Sequence, residues 1–408
     1  LGECRPSDFA IWINGFTGAH KSSIAAVALS FFGDFIGKDF PGNGSDTAYA
    51  LMTKLYQAKD TLFVADEFKA AGGPIEKNKM TALVDHLVMS TGNCSGRSRL
   101  NADATLKQSP WNRSMTIFTA EDVFGSQSTL ARLLILTMAK DDVDLDILTN
   151  LQSVAHLFPS VTSAYIKWLI QRMDRLKVDY PKMVTQSSRV AANAGFAKSH
   201  PRASEIYGNL ITGLYVFFDF LEDAGAISSE MANVLIGDAE TALQQAFLDQ
   251  GAYQTDQDEV ERFLQLLRAV LSSGNGHISC RLNMGPPPTR PYSKGWRDSG
   301  TDAIGDKILK PMGDCLGYFC EETESDTAEF WLDQESTFKA IQTFARSQGD
   351  ALSISLTTLW RRLHEKGYIK KVEPHKGRSL PRLTVKRIVA GQSVRVMVLP
   401  ASLFEAGD

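Results

Sequence analysis

Residues 15–23 read Gly15-Phe16-Thr17-Gly18-Ala19-His20-Lys21-Ser22-Ser23, GFTGAHKSS. The phosphate-loop pattern G-x-x-x-x-G-K-[ST] is met except at one position, where His20 stands for the last glycine. The setting decides its weight. An apolar run, FAIWIN (9–14), leads directly into Gly15, and from Lys21 to Phe32 apolar residues recur at helical spacing. Strand, tight loop and helix in that order let backbone N–H groups curl around an anion at a helix N-terminus. Gly15, Thr17, Gly18, Ala19, His20, Lys21, Ser22 and Ser23 are the candidate phosphate contacts. Lys21 would pair with the β- and γ-phosphates of ATP, and the Ser22 hydroxyl would hold Mg²⁺. The plain alternative is a tight turn with an exposed lysine. His20 adds a Cβ and a ring where backbone must approach phosphate closely, although histidine is among the residues that tolerate positive φ.

Reading outward, TLFVA (61–65), SMTIFT (114–119) and LLILTM (133–138) are short, near-continuous apolar runs. Such runs suit strands of a parallel sheet covered on both faces, so the fold class is α/β. The first run ends in Asp66-Glu67, 45 residues beyond Lys21. An aspartate delivered there can hold Mg²⁺ beside Ser22, and the adjacent glutamate can take a proton from the attacking water. Thr119 closes the second run, with Glu121 and Asp122 just beyond; a polar group there can read the γ-phosphate. Arg132 stands just before the last run, where an arginine can act in a neighbouring subunit's site. The competing readings are solvated carboxylates at a strand end and an ordinary surface arginine.

At 408 residues several domains are expected. Residues 1–140 form the α/β part. Residues 141–282 carry four amphipathic helical stretches and no strand, which reads as an all-helical module. Residues 283–302, NMGPPPTRPYSKGWRDSGTD, read as a Pro/Gly-rich linker, and 303–408 as an α+β domain. The net charge of −4 excludes a uniformly basic nucleic-acid binder. Five cysteines without C-x-x-C spacing fit a reducing cytoplasm better than a disulfide scaffold. No apolar run is long enough to span a membrane, and no secretory signal is visible. The chain begins at Leu1, which raises the expectation of a longer polypeptide with an upstream domain.

One local charge excess stands out. From Trp360 to Arg387 there are ten Lys/Arg against two Glu, a net of +8. It follows two helical stretches, ESTFKAIQTFARSQ and SLTTLWRRLHEKG, and precedes short strands YIKKVEP, LTVKRIV and SVRVMVLP. The layout looks like a winged helix-turn-helix, with Ser353 or Ser355 capping the second helix. Arg361, Arg362, Lys366, Lys370, Lys371, Lys376 and Arg378 would then face DNA phosphates. A solvated basic face on a protein-interaction module is the alternative.

Taken in order, GFTGAHKSS, VADEF, GNCSGRSRL, PWNRSMTIFTAED and STLARLLIL resemble the AAA+ core of MCM-like, self-loading replicative helicases of bacterial mobile elements and prophages. The likeness spans residues 5–140 and is looser beyond. It implies an ATPase core, a helical lid, and a homo-hexamer or other ring around single-stranded DNA, with an upstream domain or a primase partner. It also implies that Arg97, Arg99 and Lys107 lie on a hairpin that tracks DNA, that Arg202 in HPRASE is a second sensor arginine, and that the winged helix meets double-stranded DNA. A helicase loader or initiator would share these motifs. So would a nucleotide-binding DNA regulator without efficient hydrolysis.

Overall fold

The computed structural model describes the chain except residues 37–38, 71, 94–98, 101–102, 104–105, 108–109, 197–199, 257, 322–326, 349–351, 353, 375–380 and 406–408. The chain divides into two compact units, Leu1–Gln254 and Thr255–Asp408.

The strands of the first unit are β1 (Ala10–Gly15), β2 (Gly42–Asn43), β3 (Leu62–Phe68), a short ribbon of β4 (Arg99–Leu100) and β5 (Leu106–Lys107), then β6 (Met115–Ala120) and β7 (Leu133–Met138). All but the ribbon form one five-stranded sheet in the order β2-β3-β6-β1-β7, every pair parallel. The four apolar runs of the sequence are its four longer strands. Trp12, Phe68 and Phe118 are fully buried and meet ring to ring, so the central strands need apolar side chains on both faces. Strand β2 is only Gly-Asn and has no apolar pattern that could announce it.

Helices α1 (Lys21–Leu29), α2 (Ala48–Gln57), α3 (Gly73–Asn93) and α4 (Gln127–Leu130) accompany these strands. Four more follow: α5 (Leu145–Val154), α6 (Phe158–Ala194), α7 (Pro201–Asp223) and α8 (Ser229–Asp256). Ala203, Ile206, Tyr207 and Ile211 of α7 and Phe247 of α8 bury against Phe9 and Leu134. At the sheet edge the buried Gln250 of α8 donates from Nε2 to the Leu133 carbonyl (2.7 Å) and accepts from the Ile135 amide (3.1 Å). A side-chain amide thus takes the place of a missing neighbour strand.

The second unit opens with α9 (Glu259–Ser273), followed by β8 (Gly276–Cys280), a hairpin of β9 (Trp296–Thr301) and β10 (Lys307–Pro311), then β11 (Asp314–Cys320) and β12 (Glu329–Leu332). Helices α10 (Gln334–Ser347) and α11 (Leu356–Glu365) come next, then β13 (Val385–Val389), β14 (Gln392–Pro400) and α12 (Ser402–Glu405). The main sheet runs β13-β14-β12-β11-β8. Only β8 and β11 are parallel; the other neighbours are antiparallel. Phe263 and Leu267 of α9 share one core with Leu316, Phe330, Ile341, Leu359 and Trp360. Each such side chain contributes about 1.5–3 kcal/mol by burial.

Three features differ from the sequence reading. Helix α9, expected within a helical module ending at 282, belongs to the core of the second unit; amphipathic spacing reveals an apolar face but not its partner. The stretch expected as a linker holds the buried Lys294 and Trp296, whose Nε1 donates to the Ile278 carbonyl (2.8 Å), and enters β9. Its prolines and glycines mark turns within a packed segment. YIKKVEP is not a strand; it makes one isolated bridge, Glu373 with Arg382. Among the described residues no helix is long and apolar enough to cross a membrane.

Candidate nucleotide site

Strand β1 ends at Gly15, whose Cα lies so close to the Met138 carbonyl that a Cβ would collide with it. The loop then turns through Gly18 at φ 91° and His20 at φ 58°, ψ 19°. His20 is therefore left-handed at the N-cap of α1, the conformation for which the pattern asks glycine. The histidine occupies it at a cost of about 1–2 kcal/mol. Ala19 is fully buried, and Phe16 points to solvent.

The sheet brings the distant motifs to this loop. Ser22 Oγ donates to Asp66 Oδ1 at 2.9 Å. The Thr119 hydroxyl donates to the same oxygen and accepts from the Glu67 amide at 3.2 Å. Lys21 Nζ folds back onto the carbonyls of Gly15 (2.7 Å) and Phe16 (3.0 Å). Together with Gly18, His20, Ser23 and Glu67 these groups line an open cleft of about 440 Å³. The loop and the ends of β3 and β6, whose Asp66 and Thr119 stand 45 and 98 residues beyond Lys21, thus meet at one cleft.

Two further lining groups, Glu121 just beyond the end of β6 and Lys69, meet here in a way the sequence did not signal. Glu121 Oε1 accepts from Thr17 Oγ1 (2.6 Å), and Lys69 Nζ lies 3.6 Å from its other oxygen. The Thr17 hydrogen bond and then the Lys69 charge hold this carboxyl below its usual range. Nothing local in the sequence signals the pair, because the contact joins residues 104 positions apart.

Arg132 and Arg202 do not line this cleft. Arg132 is 9% exposed; its Nη1 donates to the Ser128 carbonyl (2.8 Å), and its buried Nε has no hydrogen-bond partner among the described residues. Burial, then the charge of Arg202, lowers its pKa, with Asp8 opposing. Arg202 opens α7, where its amide donates to His200 Nδ1 (3.2 Å). Burial, then Arg202 and Arg132, pushes the His200 pKa down. The two arginines therefore sit as neighbours, apart from their own chain's loop.

The expected DNA residues divide. Arg99 and Lys107 are register partners in the β4–β5 ribbon. Their side chains, and Arg97, Lys376 and Arg378, lie outside the described residues. Arg361 and Lys370 are exposed. Arg362 is paired with Glu259 (2.9 Å), Lys366 with Asp258 (2.8 Å) and Glu261 (3.6 Å), and Lys371 with Glu329 (2.8 Å). The expected basic face is thus partly neutralised by the acidic start of α9, about a hundred residues earlier in the chain. Ser355 caps α11, accepting from the Thr358 amide (3.3 Å), and Trp360 is buried.

No protein-family model matches the chain, and no curated protein matches it. A solved structure described as "SCCmec type IV Cch - active helicase" is similar in fold, with a TM-score of 0.56 and 15% sequence identity. The similarity covers 97% of this chain and 63% of that one, so the chain spans less than two thirds of that structure's length. At this identity the likeness is one of fold.

Proposed function

We propose that this chain is the motor of an ATP-driven DNA helicase of the MCM-like AAA+ type, acting in replication of a mobile element or phage. One observation carries the reading: Ser22, Asp66, Thr119 and Glu67 converge at one end of a parallel sheet, beside Lys21 and the loop that opens α1. A similar fold in a protein described as an active helicase supports the class of activity.

The donor set fits a triphosphate with a small, hard cation. A hydroxyl and a carboxylate stand 2.9 Å apart, and an ammonium group lies on the same loop. Ser22 and Asp66 would hold Mg²⁺, which when bound draws charge from the phosphates. Lys21 leaves the Gly15 and Phe16 carbonyls to pair with phosphate oxygens. The Glu67 carboxylate accepts a proton from the attacking water. Thr119 keeps Asp66 and the Glu67 amide in place. Arg132 and Arg202 lie away from their own cleft, which suits a role at a neighbouring subunit's nucleotide in a ring. For that, Arg132 must exchange the Ser128 carbonyl for phosphate. The β4–β5 ribbon, Arg361 and Lys370 are assigned to DNA phosphates.

ATP turnover of the purified protein, with and without single-stranded DNA, tests this. Turnover should rise with DNA and vanish in Glu67→Gln while nucleotide binding persists. A rate indifferent to DNA, or none, overturns the reading.

A further inference from the structure

The candidate base sits in a distortion of the sheet. Strands β3 and β6 pair Ala65 with Phe118 and Phe68 with Ala120, so three steps on β3 face two on β6. The extra residue makes a β-bulge at Asp66-Glu67, and Glu67 takes φ 62°. A bulky residue with left-handed φ persists only where its surroundings hold it. Two neighbours do so. From β6, Thr119 Oγ1 accepts the Glu67 amide. From the other side, β2 pairs Asn43 with Asp66, and the Gly44 amide donates to the Asp66 carbonyl at 2.8 Å. At Gly44 the two backbones nearly touch. A Cβ there would lie 2.5 Å from the Glu67 carbonyl oxygen and 2.9 Å from Phe68 Cα.

We propose that Gly44 is a positioning residue for Glu67, holding the bulge from the side opposite Thr119 so that the carboxylate is aimed into the cleft. The proposal rests on Glu67 as the base for hydrolysis. Gly44 is not in the left-handed region, so its glycine answers to the contact and not to its own backbone. Alanine at 44 meets no penalty of φ; its methyl group pushes on the Glu67–Phe68 backbone. Gly42, two residues away, supplies the control. A Cβ there would press on side-chain atoms of Phe63 (2.7 Å) and Leu51 (3.0 Å), in the core and away from Glu67.

Gly44→Ala, Gly42→Ala and wild type are compared for nucleotide affinity, for kcat and KM, and for amide hydrogen exchange over residues 62–68. Gly44→Ala should lower kcat by about 10- to 100-fold with unchanged nucleotide affinity, the usual result of a base displaced by about 1 Å. Exchange at Glu67 and Phe68 should quicken in Gly44→Ala and not in Gly42→Ala, whose added methyl meets Phe63 and Leu51 instead. A wild-type kcat in Gly44→Ala, an equal loss in Gly42→Ala, or unchanged exchange overturns the proposal. If wild type itself turns over no ATP, the hydrolysis reading falls, and exchange alone decides whether Gly44 clamps the bulge. If Gly44→Ala does not fold, Asn43→Ala replaces it. Asn43 Oδ1 accepts from the Ser45 amide (2.9 Å) and hydroxyl (2.8 Å), so its loss loosens the turn that seats Gly44. It must give the same loss of kcat and faster exchange; wild-type values there overturn the proposal.

Discussion

Gln250 of helix α8 donates to the Leu133 carbonyl on the open side of edge strand β7, and with the same amide group accepts from the Ile135 N–H. The side chain is 3% exposed, so no water can replace it readily. Gln250→Ala leaves a buried donor and a buried acceptor unpaired, a loss of about 2–4 kcal/mol. Denaturant unfolding should show a lower midpoint for Gln250→Ala. A midpoint equal to wild type would mean that the edge is satisfied otherwise.

His20 holds a left-handed conformation, so the shape of the side chain at this position matters more than its polarity. His20→Val should destabilise by about 1–2 kcal/mol, since a β-branched residue is poorly accommodated there. His20→Gly relieves the backbone but loosens the unfolded chain, and should stay within about 1 kcal/mol of wild type. Nucleotide binding should survive in the glycine variant. Its loss, measured by equilibrium titration, would show that the imidazole itself contacts phosphate.

The acidic start of α9 sets how much of the basic face is open. If the second unit binds DNA, Glu259→Gln with Glu261→Gln releases Arg362 from its partner and removes one of the two carboxylates on Lys366. Lys366 keeps its contact to Asp258. The plot of log affinity against log salt should then steepen by about 1 for each cation turned to phosphate. An unchanged slope would place DNA on the side of Arg361 and away from these pairs.

Asp258 gives the same region an acid sensitivity. Burial raises its pKa, but the hydrogen bonds from Lys366 and from the Val260 and Glu261 amides outweigh that, so the net shift is downward. A carboxyl with a lower pKa folded than unfolded stabilises the fold above the ordinary value of 3.8, and this contribution fades as pH falls below it. Asp258→Asn keeps a capping side chain but lacks the titration. Acid titration followed by tryptophan fluorescence should show a shallower loss of stability below about pH 4 in the variant. Parallel curves would remove Asp258 from the acid response.

The sheet was legible because its long strands are buried on both faces, and continuous apolar runs such as LLILTM have few other uses. That the loop lysine, Asp66 and Glu67 would meet was legible for a different reason: in a parallel sheet the segments that follow neighbouring strands come together at one end. Contacts between remote segments were not. The Thr17–Glu121 bond, the Gln250 edge cap and the Glu259–Arg362 pair each join residues about a hundred positions apart. Their side chains are ordinary surface types, so only the fold makes them partners. Strand β2 escaped because two polar residues carry no periodicity. The segment 283–302 misled because proline and glycine mark turns as readily inside a packed unit as between units.

The bulge in β3 has an outcome for how the chain can change. Three residues of β3 follow Ala65 up to Phe68 where β6 advances only two. Deleting one residue there would bring Phe68 into an unbroken ladder with Ala120. The β3–β6 ladder would lose no rung. The proposed base, Glu67, is thus the residue this ladder can most easily spare. One deletion could therefore remove the proposed base and leave this ladder in register.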